Sequence, residues 1–112
     1  MRKYWKIVLT SIFFTACITL LNAQATIRIL AIGNSFSVDA VEQYLYELGT
    51  DEGIDLIIGN MHIGGCSLER HLNNANNNTA DYAYRKIVNG VKTSLKNTTL
   101  EYAIADEPWD YI

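Results

Sequence analysis

Ile27-Arg28-Ile29-Leu30-Ala31-Ile32 runs straight into Gly33-Asn34-Ser35-Phe36-Ser37. The first six residues are short, mostly apolar and rich in isoleucine, and a glycine ends them. That is the pattern of a central strand buried in a parallel sheet. A helical pattern follows at once, so Gly33 marks a strand-to-helix turn. In an open α/β sheet such turns lie at the carboxyl edge, where ligands bind. A hydroxyl there sits beside the free N–H groups of a helix start, which suit developing negative charge. Ser35 is therefore the candidate around which function is read.

Residues 38–52 carry helical spacing. Val41, Tyr44, Leu45 and Leu48 fall at i, i+3, i+4 and i+7 and make one apolar stripe. Asp39 with Glu42 forms a capping-box start, and Gly49 or Gly53 ends the helix. Glu42, Glu47, Asp51 and Glu52 then fall mostly on the solvent side. Ile54-Asp55-Leu56-Ile57-Ile58 reads as a second strand. Strand, helix and strand at this spacing predict a right-handed parallel crossover unit.

Gly59-Asn60-Met61-His62-Ile63-Gly64-Gly65-Cys66-Ser67 reads as a glycine-rich turn after that strand. Paired glycines let a backbone approach another group closely or take positive φ. Ser67-Leu68-Glu69-Arg70-His71-Leu72 predicts a short helix opened by a serine or its neighbour. Both turns then belong on one edge of the sheet. Asn73-Asn74-Ala75-Asn76-Asn77-Asn78 is polar and low in complexity, and predicts an exposed loop. Asn89-Gly90 predicts a hairpin turn between residues 82–88 and 91–95. Thr98-x-x-Glu101 is a capping box for a short helix through Ala105, which Pro108 stops. Trp109-Asp110-Tyr111-Ile112 reads as the approach to a third strand, so the sequence is expected to be the N-terminal piece of a longer domain.

With 112 residues the chain holds at most one small domain. Arg2, Lys3 and Lys6 precede an apolar run over residues 7–21, and Ala23-Gln24-Ala25 supplies a small-x-small cleavage site. Residues 1–25 therefore read as a secretory signal peptide. Residues 26–112 are then the mature part, exported to the periplasm, the outer surface or the medium. The apolar run is short for a membrane span and has no charged stop behind it. Phe14-Thr15-Ala16-Cys17 loosely resembles a lipobox, so a lipoprotein held through Cys17 is the alternative; apolar residues rather than a polar tether follow that cysteine. Without Arg2, Lys3 and Lys6, six basic residues face twelve acidic ones, a formal charge of −6. That balance, with no basic cluster, argues against nucleic acid or anionic lipid as a partner. Cys66 is the one cysteine left after cleavage, so the mature part forms no internal disulfide. It reads as a small packed residue rather than a reactive thiol.

A serine is a useful nucleophile only when a base takes its proton and donors hold the oxyanion that forms. Ser35 supplies the hydroxyl. Its own N–H and that of Gly65 are the donor candidates, and a glycine leaves the substrate unobstructed. Asn34, Gly64 and Cys66 would line the same site. The base is not evident: His62 lies in or just after the second strand, His71 lies one turn into a helix, and both read as packed or surface residues. Other chemistries find no support. The first turn has no lysine after its glycine, so it is no P-loop, and it lacks the dinucleotide-binding glycines. Ser37 stands where a nucleophile elbow has its last glycine. No helix carries a paired-histidine metal site, and no cofactor is expected. Gly-Asn-Ser after a strand is also ordinary turn chemistry, since Asn and Ser satisfy free backbone groups.

The strand with Gly33-Asn34-Ser35-Phe36-Ser37 resembles the first block of the SGNH, or GDSL-like, hydrolases, in the secreted bacterial subgroup with GNS in place of GDS. Ile63-Gly64-Gly65-Cys66-Ser67-Leu68-Glu69-Arg70-His71 resembles that subgroup's second block, and Trp109-Asp110-Tyr111-Ile112 the lead-in to its third. The resemblance implies an α/β fold, flavodoxin-like, with three layers and a parallel sheet. It implies metal-free hydrolysis of acyl esters, often on carbohydrate or lipid. Carried over by position, Ser35 is the nucleophile and Gly65 an oxyanion donor, with Gly64 the lesser candidate. Asn34 replaces the usual aspartate and removes a local charge. The family's polar donor after the third strand and its Asp-x-x-His have no counterpart here, so the base is expected beyond residue 112. A glycan- or ligand-binding module that keeps the fold without the chemistry is the alternative.

Overall fold

The computed structural model describes residues 24–112. The basic start, the apolar run and Cys17 of the expected export signal lie outside the described residues. Strand β1, Thr26–Gly33, leads into helix α1. This helix opens at Ser35–Ser37, winds as a π-helix over Val38–Leu45 and returns to α-helix at Tyr46–Asp51. Strand β2 follows at Asp55–His62, helix α2 at Leu68–Asn77, strands β3 and β4 at Tyr82–Val88 and Val91–Thr98, and helix α3 at Leu100–Asp106.

The four strands form one mixed sheet in the order β1-β2-β3-β4. β1 and β2 are parallel, from Thr26 opposite Asp55 to Gly33 opposite His62, with α1 as the crossover. β3 and β4 are antiparallel additions. The sheet is therefore not wholly parallel. His62 faces Ala83, so β3 starts at the edge where β2 stops, and α2 does not carry the chain back along the sheet. Asn89 and Gly90, with φ of 51° and 74°, then make the tight turn that forces β4 antiparallel. On the free side of β1, Tyr111 bridges Ile29 in parallel. Leu30 N–H donates to the Tyr111 carbonyl at 2.9 Å, and Arg28 N–H donates to the Asp110 carboxylate at 2.8 Å. Trp109-Asp110-Tyr111 does approach the sheet as a strand would.

The alternation of side chains splits the core in two. Leu56, Ile58 and Ile87 face α1, where Ile27, Ile29, Val41, Leu45 and Tyr46 close over them. Leu30, Met61, Ile63, Cys66, Tyr82 and Tyr84 face the other way, against Ala103 and Leu100 of α3 and the ring of Trp109. β2 extends four residues past the expected Ile58 because Gly59 fits there as a strand glycine. A Cβ on it would lie 2.8 Å from both Leu30 Cδ1 and Trp109 Cη2. Such close approach is a standard use of glycine inside a strand.

Three local expectations change. The asparagine run is helix rather than loop: Ser67 caps α2 by accepting the Arg70 N–H at 3.2 Å, and Asn78 ends it at φ 47°. Asparagine tolerates the left-handed conformation that stops a helix. The Asp39–Glu42 capping box is absent, because the helix is capped five residues earlier, by Asn34. Thr99 rather than Thr98 caps α3, accepting the Tyr102 N–H at 3.2 Å. Among the described residues, no helix is long and apolar enough to cross a membrane.

Candidate active site

Asn34 joins the two turns at the carboxyl edge. Its extended backbone ends β1, and its side-chain oxygen accepts the Phe36 N–H at 3.1 Å, capping α1. Its amide nitrogen donates to the Cys66 carbonyl at 3.2 Å. An aspartate could do the first but not the second, since a carboxylate has no proton to give. Beside this contact, the Ile63 N–H donates to the Gly33 carbonyl at 3.2 Å. The two glycine-bearing turns are thus bonded to each other.

Ser35 is the first helical residue and is exposed. Gly64 and Gly65 form the tip of a turn closed by the Cys66 N–H on the Ile63 carbonyl at 3.3 Å, with Gly65 at φ 62°. No atom lies within 4 Å of where a Cβ would stand on either glycine. Among the described residues no hydrogen bond takes the N–H of Ser35, Gly64 or Gly65. A free hydroxyl and unpartnered backbone donors on bonded turns are the components of acyl-transfer chemistry. Cys66 is buried in the core under α3, with its thiol against the Ser67 carbonyl at 3.6 Å. It contributes its carbonyl to the site and keeps its sulfur inside.

Neither histidine serves Ser35 through a hydrogen bond among the described residues. His62 ends β2 opposite Gly33; burial lowers its basicity, and the Arg85 charge lowers it further against the pull of Glu42. His71 lies with Nδ1 2.9 Å from the Tyr82 hydroxyl, the two rings stacked at 5.7 Å, and burial and then the Arg70 charge lower its basicity. Two shallow grooves of about 250 and 240 Å³ lie elsewhere, one between Tyr84 and Tyr102 and the other beside Tyr46 and Gly53. Among the described residues no acid–histidine–cysteine cluster is placed to hold a metal.

Sequence reasoning missed what lies behind the rim. The Ser37 hydroxyl sits 2.7 Å from the Asn34 carbonyl and 3.0 Å from Asn60 Oδ1. Asn60, fully buried, donates to Glu42 Oε1 at 2.7 Å. Arg85 meets the same oxygen at 3.1 Å, and the Lys92 ammonium meets the other. Burial alone would raise the Glu42 carboxyl, but the bonds from Lys92, Asn60 and Arg85 hold it below the usual carboxylate range. Glu42 was expected on the solvent side, yet its side chain is 2% exposed. The π-helical winding is the reason. It turns each residue by less than the α-helical angle of about 100°. Tyr46 and Glu42 swing inward beside Val41 and Leu45, while Tyr44 and Leu48 are left exposed.

Residues 28–112 match the family model for DUF4886, a domain of unknown function, and the chain belongs to that family. It is similar to the crystal structure, at 1.50 Å, of a DUF4886 family protein from Bacteroides uniformis ATCC 8492. The two share 65% identity with a TM-score of 0.75 over 79% of this chain. The chain spans about a third (34%) of the length of that protein. No curated protein matches it.

Proposed function

We propose that the protein is an exported serine esterase of SGNH type, with Ser35 as nucleophile. The observation that carries this reading is the Asn34 bridge, which ties the Ser35 turn to the Gly65 turn at 3.2 Å while the N–H groups of both residues have no partner among the described residues. Ser35 Oγ would attack an ester carbonyl and give its proton to a base. The Ser35 and Gly65 N–H groups would hold the oxyanion. The alcohol would leave with that proton, and water would then release the acid. The base is proposed to be a histidine beyond residue 112, and the substrates to be carbohydrate or lipid esters.

The flavodoxin-like fold is part of the same proposal. Its support is the strand arrangement around β1, with β2 parallel on one side and the Tyr111 bridge parallel on the other. That arrangement is compatible with the 2-1-3 start of a doubly wound sheet. Export to the periplasm, surface or medium rests on the leader sequence.

The test is hydrolysis of p-nitrophenyl acetate by the full-length gene product and by its Ser35→Ala variant. The variant is expected to fall to the uncatalysed rate. Equal rates would remove Ser35 from the mechanism and leave a non-catalytic binding module of the same fold.

A further inference from the structure

A buried carboxylate is costly even when paired, and apolar replacements of such groups are often neutral or stabilising. The Glu42 carboxylate is nevertheless wound into the core by the π-helical part of α1. What it holds there is Asn60. With its amide nitrogen fixed on Glu42 at 2.7 Å, Asn60 can only aim its oxygen at Ser37, 3.0 Å away. Ser37 in turn lies against the Asn34 carbonyl at 2.7 Å. Gly33 makes room for this contact: a Cβ there would stand 2.8 Å from Ser37 Cβ and Oγ. The path therefore runs from β3 and β4, through Glu42 and Asn60 of α1 and β2, to the residue before Ser35.

We propose that Glu42, Asn60 and Ser37 are positioning residues that fix the backbone of the Asn34–Ser35 corner over the sheet. All three lie behind Ser35, more buried than it is, and their polar atoms are spent on one another and on Asn34, Arg85 and Lys92. They orient the nucleophile without touching substrate. This role rests on the esterase reading, since the orientation of Ser35 matters only if Ser35 reacts.

The experiment compares kcat and KM for p-nitrophenyl acetate in the full-length gene product and its Ser35→Ala, Ser37→Ala, Ser37→Thr and Asn60→Leu variants. Ser37→Ala and Asn60→Leu are expected to lower kcat about 10- to 100-fold with KM within about twofold, as misplacing a reacting group does. Ser37→Thr, which keeps the hydroxyl, is expected to recover most of kcat even if the alanine variant folds poorly. Wild-type kcat in Ser37→Ala and Asn60→Leu, with Ser35→Ala inactive, would overturn the positioning role and leave the esterase standing. A rise in KM at unchanged kcat would overturn it too, by assigning these residues to binding. Wild-type rates in Ser35→Ala would remove the esterase reading first, and this role with it.

Discussion

Glu42→Ala is expected to destabilise the fold by about 3 kcal/mol, and the structure divides that figure. Asn60 is fully buried and loses the acceptor of its amide nitrogen. An orphaned buried donor costs about 1–3 kcal/mol. The charge-assisted bond from Arg85, whose side chain is 24% exposed, is worth about 1.5–3 kcal/mol. Lys92 is half exposed and rehydrates, so its share is about 0–1 kcal/mol. Against these stands the desolvation that Glu42 no longer suffers. The same reasoning predicts a rescue. In Glu42→Leu with Asn60→Leu both polar partners are gone, and two apolar side chains extend the Leu56–Ile58 layer. Stability should then recover by about 1–3 kcal/mol from the Glu42→Ala level, while the Arg85 and Lys92 shares stay lost. Urea unfolding measures both, as shifts in midpoint at constant slope. A Glu42→Ala loss below about 1 kcal/mol would mean the carboxylate is not buried and paired as described. A double variant as unstable as the single one would mean the orphaned Asn60 amide was not the cause.

The Lys86–Asp106 pair sets limits at both ends of the pH scale. Lys86 and then the Tyr84 hydroxyl hold the Asp106 carboxyl below its ordinary 3.8 against burial, so its stabilisation is present above about pH 3.8 and is lost as pH falls through the folded value. Burial lowers Lys86, but Asp106 and Glu107 outweigh it and hold Lys86 above 10.5, so its contribution is present below about pH 10.5 and lost as pH rises through the folded value. Lys86→Met should flatten both limbs of a stability–pH curve; unchanged limbs would contradict the pairing. Gly59→Ala should cost about 1–3 kcal/mol by overpacking and shift Trp109 fluorescence, because its Cβ meets that ring at 2.8 Å. Gly64→Ala should stay within about 0.5 kcal/mol of wild type, since its space is open. Gly65→Ala should cost about 1 kcal/mol from its φ of 62° alone. Equal costs at the two glycines, read from urea midpoints, would contradict the turn.

Local signals carried much of this fold. The isoleucine-rich run ending at Gly33 is a strand because nothing in it competes with strand geometry, and Asn89-Gly90 turns because both residues accept positive φ. Where packing decides, the local signal failed. Gly59 and Asn60 look like turn residues, yet β2 runs through them. The reason is Trp109, fifty positions away, whose ring fills the space a side chain at 59 would need. The asparagines of α2 are poor helix formers one by one. Ser67 starts that helix and the stack of His71 on Tyr82 holds it to the sheet, so its stability comes from its ends and its packing rather than from propensity.

The candidate site divides along the same line. Ser35 and Gly65 were legible because a strand-ending glycine and a glycine pair each report a single turn. The path behind them was not, because its polar members come from α1, β2, β3 and β4, and across elements only the hairpin pair Arg85 and Lys92 lie close in sequence. One clue was present in β2, where Leu56, Ile58 and Asn60 alternate onto one face, so an amide follows two core positions and needs a buried partner. Finding that partner required the winding of α1. An α-helical register presents Tyr44 with Val41 and Leu45; the π-helical one substitutes Tyr46 and Glu42. A change of winding over eight residues thus turns the end of an apolar layer into a charged one. That charged end lies beneath the serine rather than at the far end of the sheet. Packing alone gives no reason for a carboxylate in that place, whereas holding the Asn34–Ser35 corner does.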